Sequence, residues 1–273
     1  MTTTTATDLV LAELRGAVLV LTLNRPERLN TWTDALEERY YERLDEAEND
    51  PEVRAIVVTG AGRGFCAGAD MDDLERGATV DGAADGSLRD RPRARTFPLT
   101  VRKPLVAAIN GAAAGLGLVE ALYCDVRFAT PQAKLTTAFA RRGLVAEYGL
   151  AWLLPRLIGT SRALDLLLSG RIVRGEEALQ LGLVDRLSEP DALVDDAVAY
   201  TTDLADNCSP WSMATIKAQV QADLDRSFAA AVTAADELML SSFDQPDVEE
   251  GVRSYLERRP PAFPGLKPRK EGS

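Results

Sequence analysis

The chain has 273 residues, of which 46% are hydrophobic and 27% charged, and a formal net charge of −11. This is a globular composition long enough for a large core, and its acidity argues against nucleic acid or an anionic membrane as the main partner. Histidine is absent, which excludes Ser-His-Asp and Cys-His catalysis and any His-ligated metal site, so acid–base chemistry falls to Asp, Glu, Tyr, Lys or water.

Cys66, Cys124 and Cys208 are far apart and odd in number. They fit a reduced cytosolic protein better than a disulfide framework. Met1–Thr7 lacks a basic segment followed by an apolar one, so no signal peptide is expected there. No apolar run approaches the length of a membrane span, and the expected location is cytoplasmic.

In chain order, Leu9–Leu14 and Ala17–Leu23 are β-rich runs joined at Arg15-Gly16, the pattern of a hairpin. Pro26 breaks the second run. Thr33–Glu48 carries Leu36, Tyr40 and Leu44 at helical spacing, with Thr33 as N-cap and Asn49-Asp50-Pro51 as the stop. Val53–Thr59 is a buried-type strand, and Met71–Arg76 has the pattern of a first helical turn. Gly77–Arg95 has no apolar periodicity and reads as a long loop. Leu105–Asn110 is a second buried strand, followed by a helix over about Leu116–Cys124 and a strand over Asp125–Ala129. Lys134–Arg142 is short and mixed. Helices are expected over Gly149–Ile158, Ser161–Leu168 and Gly175–Leu181, with a short strand at Val184–Leu187. Beyond Asp191 the pattern is helical, over about 191–205, 210–221, 227–241 and 246–258, and a Pro-rich tail follows. Strands with crossovers followed by a helical end predict an α/β core with a helical C-terminal part.

Two small-residue stretches stand out. Gly60–Asp70 has glycine at 60, 62, 64 and 68, and Asn110–Gly117 has it at 111, 115 and 117. Each links a strand to a helix with almost no side-chain bulk. Such backbone bends sharply and lets a ligand approach its N–H groups. Either alone is an ordinary tight turn; side by side they aim two donors at one oxygen.

Several segments, in order, resemble the crotonase (enoyl-CoA hydratase/isomerase) superfamily. They are Leu23-Asn24-Arg25-Pro26 with Leu29-Asn30, Gly64-Phe65-Cys66-Ala67-Gly68-Ala69-Asp70, Lys103–Gly111 with Ala114-Gly115-Leu116-Gly117, and Cys124–Ala129. Leu154–Gly159 and Ala178 with Leu181–Val184 complete the pattern. The resemblance runs from about Val10 to Leu266. It implies a crotonase-like α/β spiral of ββα units (residues 1–200) and a helical C-terminal trimerisation region (201–273), as a homotrimer or a hexamer of two trimers. It also implies an acyl-CoA substrate handled through a thioester enolate. No separate cofactor is implied, since coenzyme A arrives as part of the substrate.

By that resemblance the N–H groups of Ala69 and Leu116 form an oxyanion hole. Arg28, the backbone at Ala67 and Gly68, Asp70, and Phe263 and Lys267 of the tail match CoA-contact positions, the last two sometimes serving a neighbouring subunit. For Arg28 a plain solvated loop arginine is an equal reading, and Asp70 also suits an N-cap or loop-fixing role. The positions of the two glutamates of family hydratases are Val119 and Phe139 here, both apolar. Glu147 matches the place where dienoyl-CoA isomerases and related members carry a catalytic acid. Among apolar neighbours its carboxyl is expected to be partly desolvated, which favours proton transfer near neutral pH; the alternative is a glutamate that merely complements the following helix.

Glu120 lies about 100° around the helix from Val119 and is expected to pair with an arginine such as Arg127 or Arg141. Cys66, with no histidine to activate it, is expected to be a small buried residue. Trp32, Phe97, Phe139 and Trp152 are candidates for an acyl pocket or plain core. One carboxylate favours double-bond isomerisation. Hydration remains open if a second group such as Tyr148 orients the water. So do an acyl-CoA-binding role with little activity, and another reaction of the family.

Overall fold

The first hairpin sets one edge of the molecule. In a computed structural model, which describes residues 8–70 and 93–269, β1 (Val10–Arg15) and β2 (Val18–Leu23) pair antiparallel from Val10–Leu23 to Arg15–Val18. From β2 onward the pairing is parallel. β3 (Ala55–Gly60), β5 (Leu105–Ile109), β7 (Val126–Ala129) and β10 (Arg186–Leu187) extend a six-stranded sheet in the order β1-β2-β3-β5-β7-β10. These strands are near-continuous apolar runs because the sheet is covered on both faces. Period-2 alternation divides them: Ile56 and Val58 belong to one core cluster, Val57 between them to another.

A second, four-stranded sheet is assembled from shorter pieces: β4 (Gly64–Cys66), β6 (Ala112–Ala114), β8 (Lys134–Thr136) and β9 (Val173–Arg174). The chain alternates between the two sheets, β3 then β4, β5 then β6, β7 then β8. This is the expected spiral of ββα units. The second sheet is parallel through β4, β6 and β8, so the C-terminal ends of those three strands lie together. Ligands of parallel sheets bind outside the carboxyl ends of the strands.

The expected helices form. α1 (Asp34–Asn49) is capped by Thr33, whose side chain accepts the Leu36 N–H at 3.2 Å, and buries Leu36, Tyr40, Tyr41, Leu44 and Ala47. α2 (Leu116–Leu122) follows β6. α3 (Leu150–Ile158), α4 (Thr160–Ser169) and α5 (Gly175–Leu181) cover the second sheet's side of the core. α6 (Leu193–Asn207) spans the expected boundary at residue 200 and lays Leu193, Ala197 and Ala205 on the six-stranded sheet against Val18, Val57 and Val106. α7 (Pro210–Asp223), α8 (Phe228–Ser242) and α9 (Pro246–Glu257) complete the chain, and α8 has no buried residue. The helical turn expected at Met71–Arg76 and most of the loop Gly77–Arg95 lie outside the described residues. No helix among the described residues is long and apolar enough to cross a membrane.

Candidate active site

A cavity of about 210 Å³ opens where β4, β6 and β8 end. Ala67, Gly68 and Ala69 line it from β4; Ala114, Gly115 and Leu116 from β6; Thr137, Ala138 and Phe139 from β8. Arg142, Leu144 and Glu147, on the segment before α3, close another side.

The direction of the Ala69 N–H follows from its neighbours. Gly68 C=O accepts the Trp32 N–H at 2.7 Å, and the Asp70 N–H donates to Trp32 C=O at 3.1 Å. Successive residues of an extended chain point to opposite sides, so with 68 and 70 committed to Trp32, Ala69 turns its N–H away from Trp32. Leu116 is the first residue of α2, and its N–H has no carbonyl one turn earlier to receive it. Neither N–H has an acceptor among the described residues.

Two glycines bring these donors together. Gly117 packs on β4 so closely that a Cβ there would lie 2.2 Å from Cys66 C=O. Gly68, at φ 95°, would place one 2.8 Å from Ala114 C=O. Asp70 is buried and accepts hydrogen bonds from the Arg25 guanidinium at 3.1 Å and the Thr31 hydroxyl at 3.0 Å. It fixes the end of this turn and lies outside the cavity lining.

Glu147 reaches the cavity from the loop before α3, where Leu150 N–H closes a turn on its carbonyl at 2.9 Å. Its side chain is one-third exposed, and its carboxylate lies 3.6 Å from the Arg95 guanidinium. Ala138 and Tyr148, on either side of this segment, hold φ of 59° and 53°. Such left-handed backbone at non-glycine residues is held by surrounding contacts and gathers at functional sites. Val119 is completely buried in the core, and Phe139 presents an apolar ring to the cavity. Among the described lining residues Glu147 is the one carboxylate.

The enoyl-CoA hydratase/isomerase family model matches residues 13–266. The chain belongs to that family. It is 33% identical over 261 residues to the 1,2-epoxyphenylacetyl-CoA isomerase of Escherichia coli, covering 94% of this chain and 99% of that one. It is 32% identical to the short-chain-enoyl-CoA hydratase of Clostridium acetobutylicum, covering 92% and 95%. Among solved structures, the enoyl-CoA hydratase from Bacillus anthracis superposes with a TM-score of 0.86 at 27% identity, covering 94% and 100%.

Within this family member, the expected site residues separate into groups. Ala67, Gly68, Ala69, Leu116 and Glu147 converge on one cavity. Arg28 lies in a 3-10 turn (Pro26–Arg28) next to Leu29, whose carbonyl accepts the Ala67 N–H at 3.0 Å, so it borders the lining. Phe263 is buried against Gly251, with its carbonyl on Arg54 at 2.7 Å, and the Lys267 carbonyl accepts from Arg102 at 3.0 Å. Both stand apart from this chain's own cavity.

The remaining expectations divide, and the arginine pairing of Glu120 is the one the structure corrects. Glu120 pairs with neither Arg127 nor Arg141. It is buried against α1, where it meets the Tyr41 hydroxyl at 3.1 Å. Arg127 is taken by Asp185 and the carbonyls of Cys124 and Leu183, and Arg141 by Ser169 C=O. Burial, reinforced by nearby Glu37, pushes the Glu120 carboxyl well above the usual carboxylate range. Tyr148 turns away from the cavity and donates to Glu37 at 3.0 Å. Of the four aromatics, Trp32 is core and Phe97 packs against it, the plain-core alternative; Trp152 is partly exposed under Arg156, and Phe139 is the aromatic lining residue. Asp70 takes the loop-fixing role, held by Arg25 and Thr31. Cys66 is buried as expected, its thiol pushed up to about 12 by desolvation. Arg95 and Arg142 were not singled out by sequence; no pattern distinguishes them from other loop arginines.

Proposed function

We propose that this chain isomerises enoyl-CoA thioesters with Glu147 as the proton carrier. The carboxylate takes a proton from the α carbon of a 3-enoyl-CoA. The electron pair moves onto the thioester oxygen, which receives the Ala69 and Leu116 N–H groups, and the dienolate is reprotonated at the γ carbon to give the 2-enoyl-CoA. A preorganised donor of this kind is worth about 3 kcal/mol, and a positioned general base about 10²–10⁴-fold. The observation that carries the reading is the single cavity shared by both donors and Glu147, with apolar residues at Val119 and Phe139. The relatives' names include both a CoA-thioester isomerase and hydratases, so it is the site that favours isomerisation.

In this reading Arg28, the backbone of Ala67 and Gly68, and the tail residues Phe263 and Lys267 hold the CoA portion, the tail residues from a neighbouring subunit. Trimer formation, alone or doubled to a hexamer, is supported by exposed Phe228, Leu240, Phe243, Tyr255 and Leu256 on and beside α8 and α9. Ultraviolet assays of a 3-enoyl-CoA and of crotonyl-CoA, on wild type and Glu147→Gln, test the reading. Turnover of the 3-enoyl-CoA that is lost in Glu147→Gln is expected. Preferential hydration of crotonyl-CoA, or unchanged turnover in the variant, would overturn it.

A further inference from the structure

Behind the cavity lies a buried cluster that the proton-transfer scheme does not use: Glu37 and Tyr41 on α1, Glu120 and Tyr123 on α2, and Tyr148 beside Glu147. All of it converges on Arg95. The Tyr41 hydroxyl lies 2.9 Å from Arg95 C=O and 3.1 Å from Glu120 Oε1. A carbonyl only accepts, so the single phenolic proton goes to Arg95, and Tyr41 must accept from Glu120. That requires Glu120 to carry a proton, the form its burial favours. The other end of Arg95 is held separately. Its guanidinium stacks on the Tyr148 ring at 4.5 Å. That ring is anchored by its hydroxyl on Glu37 at 3.0 Å, and Glu37 also receives the Trp32 indole N–H at 2.9 Å. The Tyr148 carbonyl accepts from the Tyr123 hydroxyl. With both ends fixed, the Arg95 guanidinium stands 3.6 Å from the Glu147 carboxylate.

We propose that Arg95 is a positioning residue for Glu147, seated by two buried carboxyl–tyrosine pairs, Glu120 with Tyr41 and Glu37 with Tyr148. The proposal rests on the reading of Glu147 as the proton carrier. Arg95 itself stays outside the cavity lining. It acts by restricting where the carboxylate points, because a carboxyl on a surface loop otherwise samples several rotamers, and misplacement of a reacting group by about 1 Å costs on the order of 10²-fold in rate.

The test is a double-mutant cycle on the full chain with a 3-enoyl-CoA as substrate. Arg95→Gln is expected to lower kcat about 10- to 100-fold with little change in KM. Arg95→Lys should recover part of that loss, and Tyr41→Phe should fall between wild type and Arg95→Gln. In a Glu147→Gln background, Arg95→Gln should have no further effect. Circular dichroism of each variant separates these effects from misfolding. If Arg95→Gln leaves kcat intact while Glu147→Gln abolishes it, the positioning role is wrong and the proton carrier stands. If Arg95→Gln changes KM alone, Arg95 serves binding instead. If Glu147→Gln retains full turnover, the proton-carrier reading fails and takes the positioning role with it.

Discussion

Glu147 lines the cavity while Glu120 is buried against α1, and under the proposed reading their surroundings give them opposite chemistry. Glu147 sits on a loop, one-third exposed, in the cavity that holds the two uncommitted backbone donors. Glu120 sits on a helix, sealed in the core against Tyr41, with Oε2 unpartnered among the described residues. An ionised carboxylate without a partnering cation is too costly to bury, so Glu120 keeps its proton. A carboxylate at a cavity wall can exchange a proton with a ligand, while one sealed behind Tyr41 can only hold a neighbour in place. The acid nearest in sequence to Val119 is Glu120, and it does not line the cavity, whereas Glu147 does.

The largest expected effect breaks the contrast from the cavity side: Glu147→Gln should lower kcat on a 3-enoyl-CoA by about 10²–10⁴-fold while the protein still binds acyl-CoA, measured by turnover and calorimetry. Next, Gly117→Ala forces a methyl against Cys66 C=O, 2.2 Å away. It should shift the start of α2 and its Leu116 donor, with a loss of about 100-fold in turnover that leaves Glu147 untouched. A third carboxylate, Asp70, is buried yet paired with Arg25. Asp70→Asn should destabilise the protein by about 1–3 kcal/mol in denaturant titration.

The smallest effect belongs to Glu120→Gln, which supplies a hydrogen-bond donor to Tyr41 without a titrating proton. Turnover should be unchanged. Its signature lies in stability against pH. The folded-state pKa of Glu120 is raised above its ordinary 4.5. Above that pH the folded state therefore binds more protons than the unfolded state, and stability falls as pH rises. Thermal melts across the pH range should show the Glu120 part of that fall in wild type and not in Glu120→Gln.

Much of this architecture was legible before any coordinates. The hairpin at Arg15-Gly16, the Thr33 cap, the apolar strands and the C-terminal helices all rest on local signals, turn residues and periodicity, which act within a few residues of each other. The second sheet was not legible. β4 and β6 are three-residue strands made of Gly, Phe, Cys and Ala, and they read as turns because nothing in their composition favours extension. They become strands only by pairing with each other and with β8. The two backbone N–H groups proposed for the oxyanion hole were legible through the ordered motifs. The Arg95 clamp was not, because its partners come from residues 37, 41, 120 and 148, and no short-range pattern joins them.

The sequence by itself therefore determined the family, the spiral, the two small-residue turns and the loss of the usual pair of glutamates. These are properties of residue type and local spacing. Tertiary structure alone decided that Ala69 turns its N–H away from Trp32, that Glu147 shares a cavity with Leu116, and that Glu120 is shut away as a protonated prop. Burial and charge pairing depend on which distant segments pack together, and the same glutamate is a base or a strut according to the wall it faces.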